Sequence, residues 1–181
     1  MVTWRETIRL VVPGGLSIKW KAFSLEQINS KESSDFRIWE HPEYPSKGVR
    51  ALVASKCAVN QGDERFLRFH LATFAAKHDQ NLDIADLGVL KRIAKDAGLD
   101  VTRFEKDMTR EENWLAVGSD YMESREKYGV FGVPTLVFPE GEAVFVKLEA
   151  IPESQEERLS LFRLIFEMGD RMPYLRELKR P

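Results

Sequence analysis

The sequence YGVFGVPTLVF, residues 128–138, decides how the fold is interpreted. Its first part has two glycines and one proline within six residues, a composition typical of a loop. Residues 135–138 are β-branched, aliphatic or aromatic and predict a short strand. A turn over residues 139–142 and a second strand over residues 143–148 complete the pattern of an antiparallel hairpin.

The sequence before this hairpin is helical in pattern from residue 49 to residue 128. Apolar side chains recur there with the 3.6-residue period of helices. Two buried faces are predicted, one on the helix after Asp63 and one on a helix that runs from about residue 111 to about residue 128. They are Leu67, Leu71 and Phe74, and Trp114, Val117, Gly118 and Tyr121. Asp63, Asp86 and Asp100 each precede an apolar stripe and predict N-terminal caps. A last helix is predicted after Pro152, because the acidic residues that follow this proline suit the positive end of a helix. Its predicted buried face includes Leu159, Phe162 and Phe166.

The first part of the chain predicts one helix and one strand. Apolar residues recur at helical spacing over residues 3–12, and a proline followed by two glycines ends that pattern. Residues 16–23 then alternate between apolar and polar side chains, which predicts a strand with one solvated face. The order along the chain is therefore helix, strand, helical block, hairpin and helix, which indicates an α/β protein.

Composition excludes several classes of protein. The net charge is −2, so there is no basic excess to neutralise phosphates, and we expect no nucleic-acid partner. Apolar runs fall short of the roughly 18 residues that would suggest a membrane span, and we expect no membrane association. The single cysteine excludes an internal disulfide, and the charged N-terminal residues do not resemble a secretory signal. We therefore expect a cytoplasmic protein.

Three stretches resemble the DsbA-like branch of the thioredoxin superfamily. The most specific is the one quoted first, which is similar to the cis-proline loop of that family and the strand after it. The other two resemble the end of its second strand with the following turn, and its inserted helices. These two are WKAFSLEQIN at residues 20–29, and the helical block with QGD at residues 61–63 and LKRIAKDAGLD at residues 90–100.

This resemblance implies an α/β thioredoxin-like fold with a large inserted α-helical domain and its first strand missing. The thioredoxin-like domain would consist of residues 1–48 and 129–181, and the inserted domain of residues 49–128. The family's first strand and its CxxC motif have no counterpart in the sequence. We expect Met1 to be internal to a longer natural chain; the alternative is that rearrangement or a partner's strand fills the gap.

The resemblance also implies where a substrate binds. Val133 and Pro134 match the cis-proline loop, where the residue before the proline offers backbone hydrogen bonds to an extended substrate segment. No residue is assigned as catalytic, and no metal ligand is assigned. Cys57 shares an apolar stripe with its helical neighbours, so we expect a buried side chain with a raised thiol pKa rather than a nucleophile.

Other candidate residues have simpler structural interpretations. Three histidines, His41, His70 and His78, have spacings that match no metal-binding helix motif. A set of aromatic residues at helical spacing can either line an apolar ligand cleft or form an ordinary core, and we favour the core. This set is Phe66, Phe69, Phe74, Phe104, Trp114 and Tyr121.

The predicted function is that of a DsbA-family thiol–disulfide oxidoreductase-like protein that is inactive in dithiol exchange because it lacks the CxxC motif. Two alternatives stay open: a glutathione-dependent isomerase or transferase of the kappa type, and a non-catalytic binding module on the same scaffold. No cofactor is expected, with glutathione or another low-molecular-weight thiol left open. The partner would be a thiol-containing small molecule or an extended peptide, and the sequence leaves the oligomeric state open.

Overall fold

The computed structural model describes residues 18–139 and 143–175. Within them the chain is mostly helical, with one small antiparallel sheet and one short 3-10 helix, Ile38–Glu40. The α-helices are α1 (Leu25–Ile28), α2 (Val49–Val59), α3 (Asp63–His78), α4 (Leu87–Asp96), α5 (Val101–Met108), α6 (Glu111–Tyr128) and α7 (Gln155–Arg171), and the strands are β1 (Thr135–Val137) and β2 (Ala143–Phe145).

The strand predicted over residues 16–23 is wrong for the residues that are described. Residues 18–23 have no regular secondary structure, while residues 16–17 and the helix predicted over 3–12 lie outside the described residues. A strand needs a neighbouring strand, and none in the described part of the chain pairs with this segment. The backbone N–H of Ala22 donates instead to the carboxylate of Asp120, at 2.7 Å.

The chain divides into two compact units. One is Lys21–Met122, called here the helical unit. The other, called the hairpin unit, has residues 18–20, 123–139 and 143–175 as its described part. This division by compactness does not test the domain boundaries expected after residues 48 and 128, which stay a prediction.

Two of the three predicted helix caps are confirmed. The Asp86 carboxylate accepts a hydrogen bond from the backbone N–H of Val89, and that of Asp100 accepts one from Arg103, both at 2.9 Å. Asp63 is instead the first residue of α3, because Gly62, with a φ of 104°, occupies the N-cap position. The carboxylate of Asp63 thus lies in the first turn, where the helix dipole favours it.

The buried face of α3 differs from the predicted one. The expected stripe included Leu67, Leu71 and Phe74, but Leu67 and Leu71 are half-buried and Phe74 is 40% exposed. Two apolar rows run side by side along this helix, and the sequence period alone does not decide which row its neighbours cover. The side chains buried on α3 are Phe66, Phe69, Thr73 and Ala76.

The core of the helical unit contains most of the predicted aromatic residues. The rings of Phe69 and Phe104 are buried with their centroids 5.6 Å apart. The predicted inward face of α6 is confirmed: Trp114, Val117, Gly118 and Tyr121 are all buried. None of the helices in residues 18–139 and 143–175 is both long and apolar enough to cross a bilayer.

The predicted hairpin is confirmed, with a second strand shorter than expected. Thr135 pairs with Phe145, Leu136 with Val144, and Val137 with Ala143. One face of the hairpin is packed against α7. At Gly169 of that helix an added Cβ would lie 2.3 Å from the ring of Phe138 and 2.8 Å from the side chain of Val144.

The helix α7 begins as predicted and buries a different stripe. Ser154 is its N-cap, and the Ser154 and Glu157 side chains form a reciprocal capping box. Phe162 is buried as expected, whereas Leu159 and Phe166 are only half-buried. Ile165 and Gly169 complete the buried face.

Candidate functional site

A capped helix end fixes the start of the loop that holds Val133 and Pro134. Gly129 follows the last residue of α6 and has a φ of 63°, the left-handed conformation that commonly ends helices. Its N–H donates to the carbonyl of Arg125 at 3.2 Å, and the N–H of Val130 donates to the carbonyl of Ser124 at 3.0 Å. The direction in which the chain leaves α6 is therefore set by backbone hydrogen bonds.

The end of the loop is fixed by the hairpin. The Val133–Pro134 peptide bond is cis, the configuration that the resemblance implies. The carbonyl of Pro134 accepts a hydrogen bond from the N–H of Val146 at 3.0 Å, which continues the β1–β2 ladder by one more residue. Both sequence-predicted site residues thus lie directly before β1, at the point where the loop joins the sheet.

Two side chains bind carbonyl groups in the middle of the loop. The guanidinium of Arg125 donates through Nη1 to the carbonyl of Val130 at 2.8 Å. The hydroxyl of Thr135 donates to the carbonyl of Gly132 at 2.7 Å. These contacts connect the loop to α6 on one side and to β1 on the other.

Val133 itself is open to solvent. Its side chain is 43% exposed. Within the described part of the chain, neither its N–H nor its carbonyl takes part in a hydrogen bond. The two backbone groups are therefore available to a ligand, and the arrangement suits an extended segment that donates and accepts at the same residue.

An apolar surface surrounds Val133. Phe131, 64% exposed, lies with its ring centroid 5.0 Å from that of Phe145. The ring of Phe145 also covers Gly132, where an added Cβ would lie 3.0 Å from its Cε2 atom. Residues 128–139 contain no charged side chain. We call Phe131, Val133 and Phe145 the loop patch.

Cys57 lies in the helical unit, on α2, and is fully buried. Burial raises the pKa of its thiol to about 12, and the nearby negative charge of Asp107 acts in the same direction. A thiol reacts through its thiolate, and this pKa leaves almost none at neutral pH. The prediction that Cys57 is a buried apolar side chain is confirmed.

Two partly exposed lysines surround the buried carboxylate of Asp120, a charge cluster that the sequence pattern did not reveal. The Asp120 carboxylate accepts hydrogen bonds from Lys56, from Lys21 at 3.0 Å and from the backbone N–H of Ala22 at 2.7 Å. Burial, the largest single influence, raises the pKa of Asp120, but the three hydrogen bonds together bring it below its ordinary value. The sequence did contain one indication of this cluster: Asp120 directly precedes Tyr121, which is on the predicted inward face of α6.

Each of the three histidines contacts an aromatic ring. The imidazole of His41 lies 3.3 Å from the Glu43 carboxylate and stacks on the ring of Phe36. His70 and His78 lie on α3, and burial lowers the pKa of His70 to about 4. The described residues contain no group of three or more histidine, cysteine or carboxylate side chains with metal-binding geometry.

Comparison with known proteins supports the resemblance. A family model described as the DSBA-like thioredoxin domain matches residues 6–155. A comparison with curated proteins found no match. The single cysteine of the sequence fits the absence of a CxxC motif. Because the family model spans well over half of the sequence, the chain belongs to the DSBA-like thioredoxin domain family.

Proposed function

We propose that the chain is a ligand-binding member of the thiol–disulfide oxidoreductase family that holds an extended segment against Val133 and Pro134. The observation that carries the proposal is the exposed backbone of Val133. Its N–H and carbonyl have no hydrogen-bond partner among the described residues, although both ends of the loop are fixed. Polar backbone groups held in place at a sheet margin are suited to pairing with another extended chain.

We further propose that the chain does not exchange dithiols through its own cysteine. Dithiol exchange needs an attacking thiolate and a second thiol that resolves the mixed disulfide. The sequence has one cysteine, and burial raises the pKa of that thiol to about 12. Ligand binding is therefore the part of the family's task that these residues can perform.

The loop patch favours a peptide over glutathione as the ligand. Glutathione carries two carboxylates, which are usually bound by cationic side chains. The 12 residues from 128 to 139 carry no charge, and Phe131 and Val133 present apolar side chains. The nearby guanidinium of Arg125 already donates to the carbonyl of Val130. An uncharged extended peptide with alternating apolar side chains fits such a surface better.

The cellular location is part of the same proposal. A lone buried thiol needs no oxidising compartment, since it has no partner within the chain. We therefore propose a cytoplasmic location.

A titration followed by NMR tests the proposed binding. The ¹⁵N-labelled chain is titrated with an uncharged ten-residue peptide in which valine and threonine alternate around one cysteine. We expect saturable shifts of the Phe131, Val133 and Thr135 amides. The matched control is the same peptide with alternate amides N-methylated, which removes donors without changing the side chains, and it should bind at least about fivefold more weakly.

Two outcomes of this titration would count against the proposal. Absence of saturable shifts up to millimolar peptide would reject the Val133 site. Saturation by glutathione at lower concentration than by the peptide would favour the glutathione-dependent isomerase or transferase instead.

A further inference from the structure

We propose that Arg125 and Thr135 are positioning residues that hold the loop so that the backbone of Val133 faces the ligand. This inference rests on the proposed function, because it explains how the Val133 site is built. It concerns side chains that need not touch the ligand.

The first observation is an alternation along the loop. The carbonyls of Val130, Gly132 and Pro134 each accept a hydrogen bond from within the hairpin unit. Phe131 and Val133, which lie between them, make no backbone hydrogen bond in the described part of the chain, and their side chains are exposed. A period of two is that of an extended chain with one side against the protein and the other toward solvent.

These three carbonyls accept hydrogen bonds from two kinds of donor, a backbone amide and side chains. Pro134 is held by the backbone of Val146, which any residue at that position except proline would supply. Val130 and Gly132 are held by the side chains of Arg125 and Thr135, at 2.8 and 2.7 Å. The orientation of the loop on either side of Phe131 thus depends on two specific side chains.

Arg125 is well suited to this role because of where it lies. It is in the last turn of α6, and its own carbonyl accepts the N–H of Gly129, so helix and loop are linked through both backbone and side chain. Its guanidinium forms no ion pair with a described carboxylate. A hydrogen bond from a charged donor is stronger than a neutral one, so this contact should stabilise the loop more than an amide donor would.

Thr135 binds the loop at Gly132, where the backbone lies close to the ring of Phe145. Gly132 is buried beneath the ring of Phe145, and its carbonyl is paired by the Thr135 hydroxyl. Without that hydroxyl a buried carbonyl would have no partner, which is unfavourable unless the loop moves to reach water. The expected result is movement of the segment that contains Val133.

The test for Thr135 uses two variants that differ in one functional group. Thr135→Val keeps the shape and removes the hydroxyl, whereas Thr135→Ser keeps the hydroxyl. In the ligand-free protein, we expect the ¹⁵N order parameters of Phe131 and Val133 to fall from about 0.85 to below about 0.6 in Thr135→Val. Thr135→Ser should leave them unchanged.

The test for Arg125 uses a second arginine of the same unit as its control. Arg125→Gln removes the charged donor to Val130 and should lower the same two order parameters. Arg171→Gln removes an exposed arginine that pairs with Glu167 on α7, and should not alter them. Peptide affinity should fall about three- to tenfold in Arg125→Gln and Thr135→Val, and less than twofold in Arg171→Gln and Thr135→Ser.

The outcomes separate this inference from the proposed function. If the peptide binds but Thr135→Val and Arg125→Gln keep wild-type affinity and order parameters, the positioning role is rejected while the binding function stands. If the peptide does not bind, the order parameters still decide the positioning role, and only the binding function is rejected. Equal losses in Thr135→Ser and Thr135→Val would likewise overturn the role of the hydroxyl.

Discussion

At Cys57, full burial and a pKa raised to about 12 determine how the only thiol of the chain behaves. The side chain lies among apolar neighbours on α2, where a thiol acts as a small apolar group. The thiol is therefore unreactive for two reasons: reagents cannot reach it, and almost none of it is deprotonated at neutral pH. This state leads to a prediction about reactivity.

We expect the native chain to show no turnover in insulin reduction with dithiothreitol as electron donor, and Cys57→Ala to behave like the wild type. A thiol-specific reagent should label native Cys57 at least about 100-fold more slowly than the same residue in urea. Fast labelling of the native chain, or insulin reduction that Cys57→Ala abolishes, would show that the thiol is reactive.

The free energy of unfolding should depend on pH through His70. Burial lowers its folded-state pKa to about 4, below the ordinary value of 6.5, so the unfolded chain binds the proton more readily between these values. The stability linked to neutral His70 is therefore complete above pH 6.5 and is lost as the pH falls toward 4. We expect this loss to be about 2 kcal/mol.

Urea unfolding at pH 7, 5.5 and 4.5 measures the effect. His70→Phe is the matched variant, since it keeps an aromatic ring beside Phe66 and Phe74 and removes the titrating group. The free energy of unfolding of this variant should depend less on pH over this interval. An identical pH dependence in variant and wild type would assign the effect to other groups.

The residues of the site were predictable to different degrees. Val133 and Pro134 were identified because glycine, proline and β-branched residues follow one another in a short stretch that resembles a known family. Asp120 was not, because its role depends on Lys21 and Lys56, which are 99 and 64 residues away in sequence. A pattern in one helix does not contain such long-range contacts.

Helices and strands also differed in how well the sequence predicted them. The bounds of α6 and the caps of α4 and α5 depend on residues within one or two turns, and they agree with the structure. The alternation over residues 16–23 is equally clear in sequence, but a strand also requires a partner. None of the described residues supplies one, so residues 18–23 take up no strand pairing.

The helix α6 provides a test of packing. An added Cβ at Gly118 would lie 2.3 Å from the indole nitrogen of Trp39, a buried side chain that has little room to move. We expect Gly118→Ala to lower the free energy of unfolding by about 1–3 kcal/mol. Ser119→Ala, at an exposed neighbouring position, should change it by less than about 0.5 kcal/mol. Equal unfolding midpoints for the two variants in urea would contradict the contact.

The ion cluster provides a second test at the level of elements, because it connects residues 21–22 with α2 and α6. Asp120→Asn removes the charge that Lys21 and Lys56 share. We expect it to destabilise the chain by about 1–3 kcal/mol, because both lysines are partly solvated. The exposed Glu126 on the same helix is the control, and Glu126→Gln should be nearly neutral. A change below about 1 kcal/mol in Asp120→Asn would mean that the negative charge of Asp120 contributes little to stability.

For the whole molecule, the proposed binding function belongs to the hairpin unit, whereas the only cysteine belongs to the helical unit. The family assignment depends on a match across most of the chain, residues 6–155. The identity of the ligand depends on a few exposed side chains. Variants of buried residues therefore test the fold, and variants of exposed residues of the loop patch test ligand binding.

Phe131→Ala tests the apolar part of the loop patch. It removes an exposed ring that contacts Phe145, and we expect peptide affinity to fall about fivefold or more. Leu164→Ala removes an exposed apolar side chain of the same unit, 55% exposed on α7, and should leave affinity within twofold. Isothermal titration calorimetry measures both, and similar losses in the two variants would indicate nonspecific adsorption.

Gly169 has a consequence for how the last helix could change during evolution or design. Its missing side chain leaves room for Phe138 and Val144, so helix and hairpin meet at a position where even a methyl group does not fit. A library randomised at position 169 should return glycine almost alone. Larger residues should be recovered there only together with smaller partners at position 138 or 144.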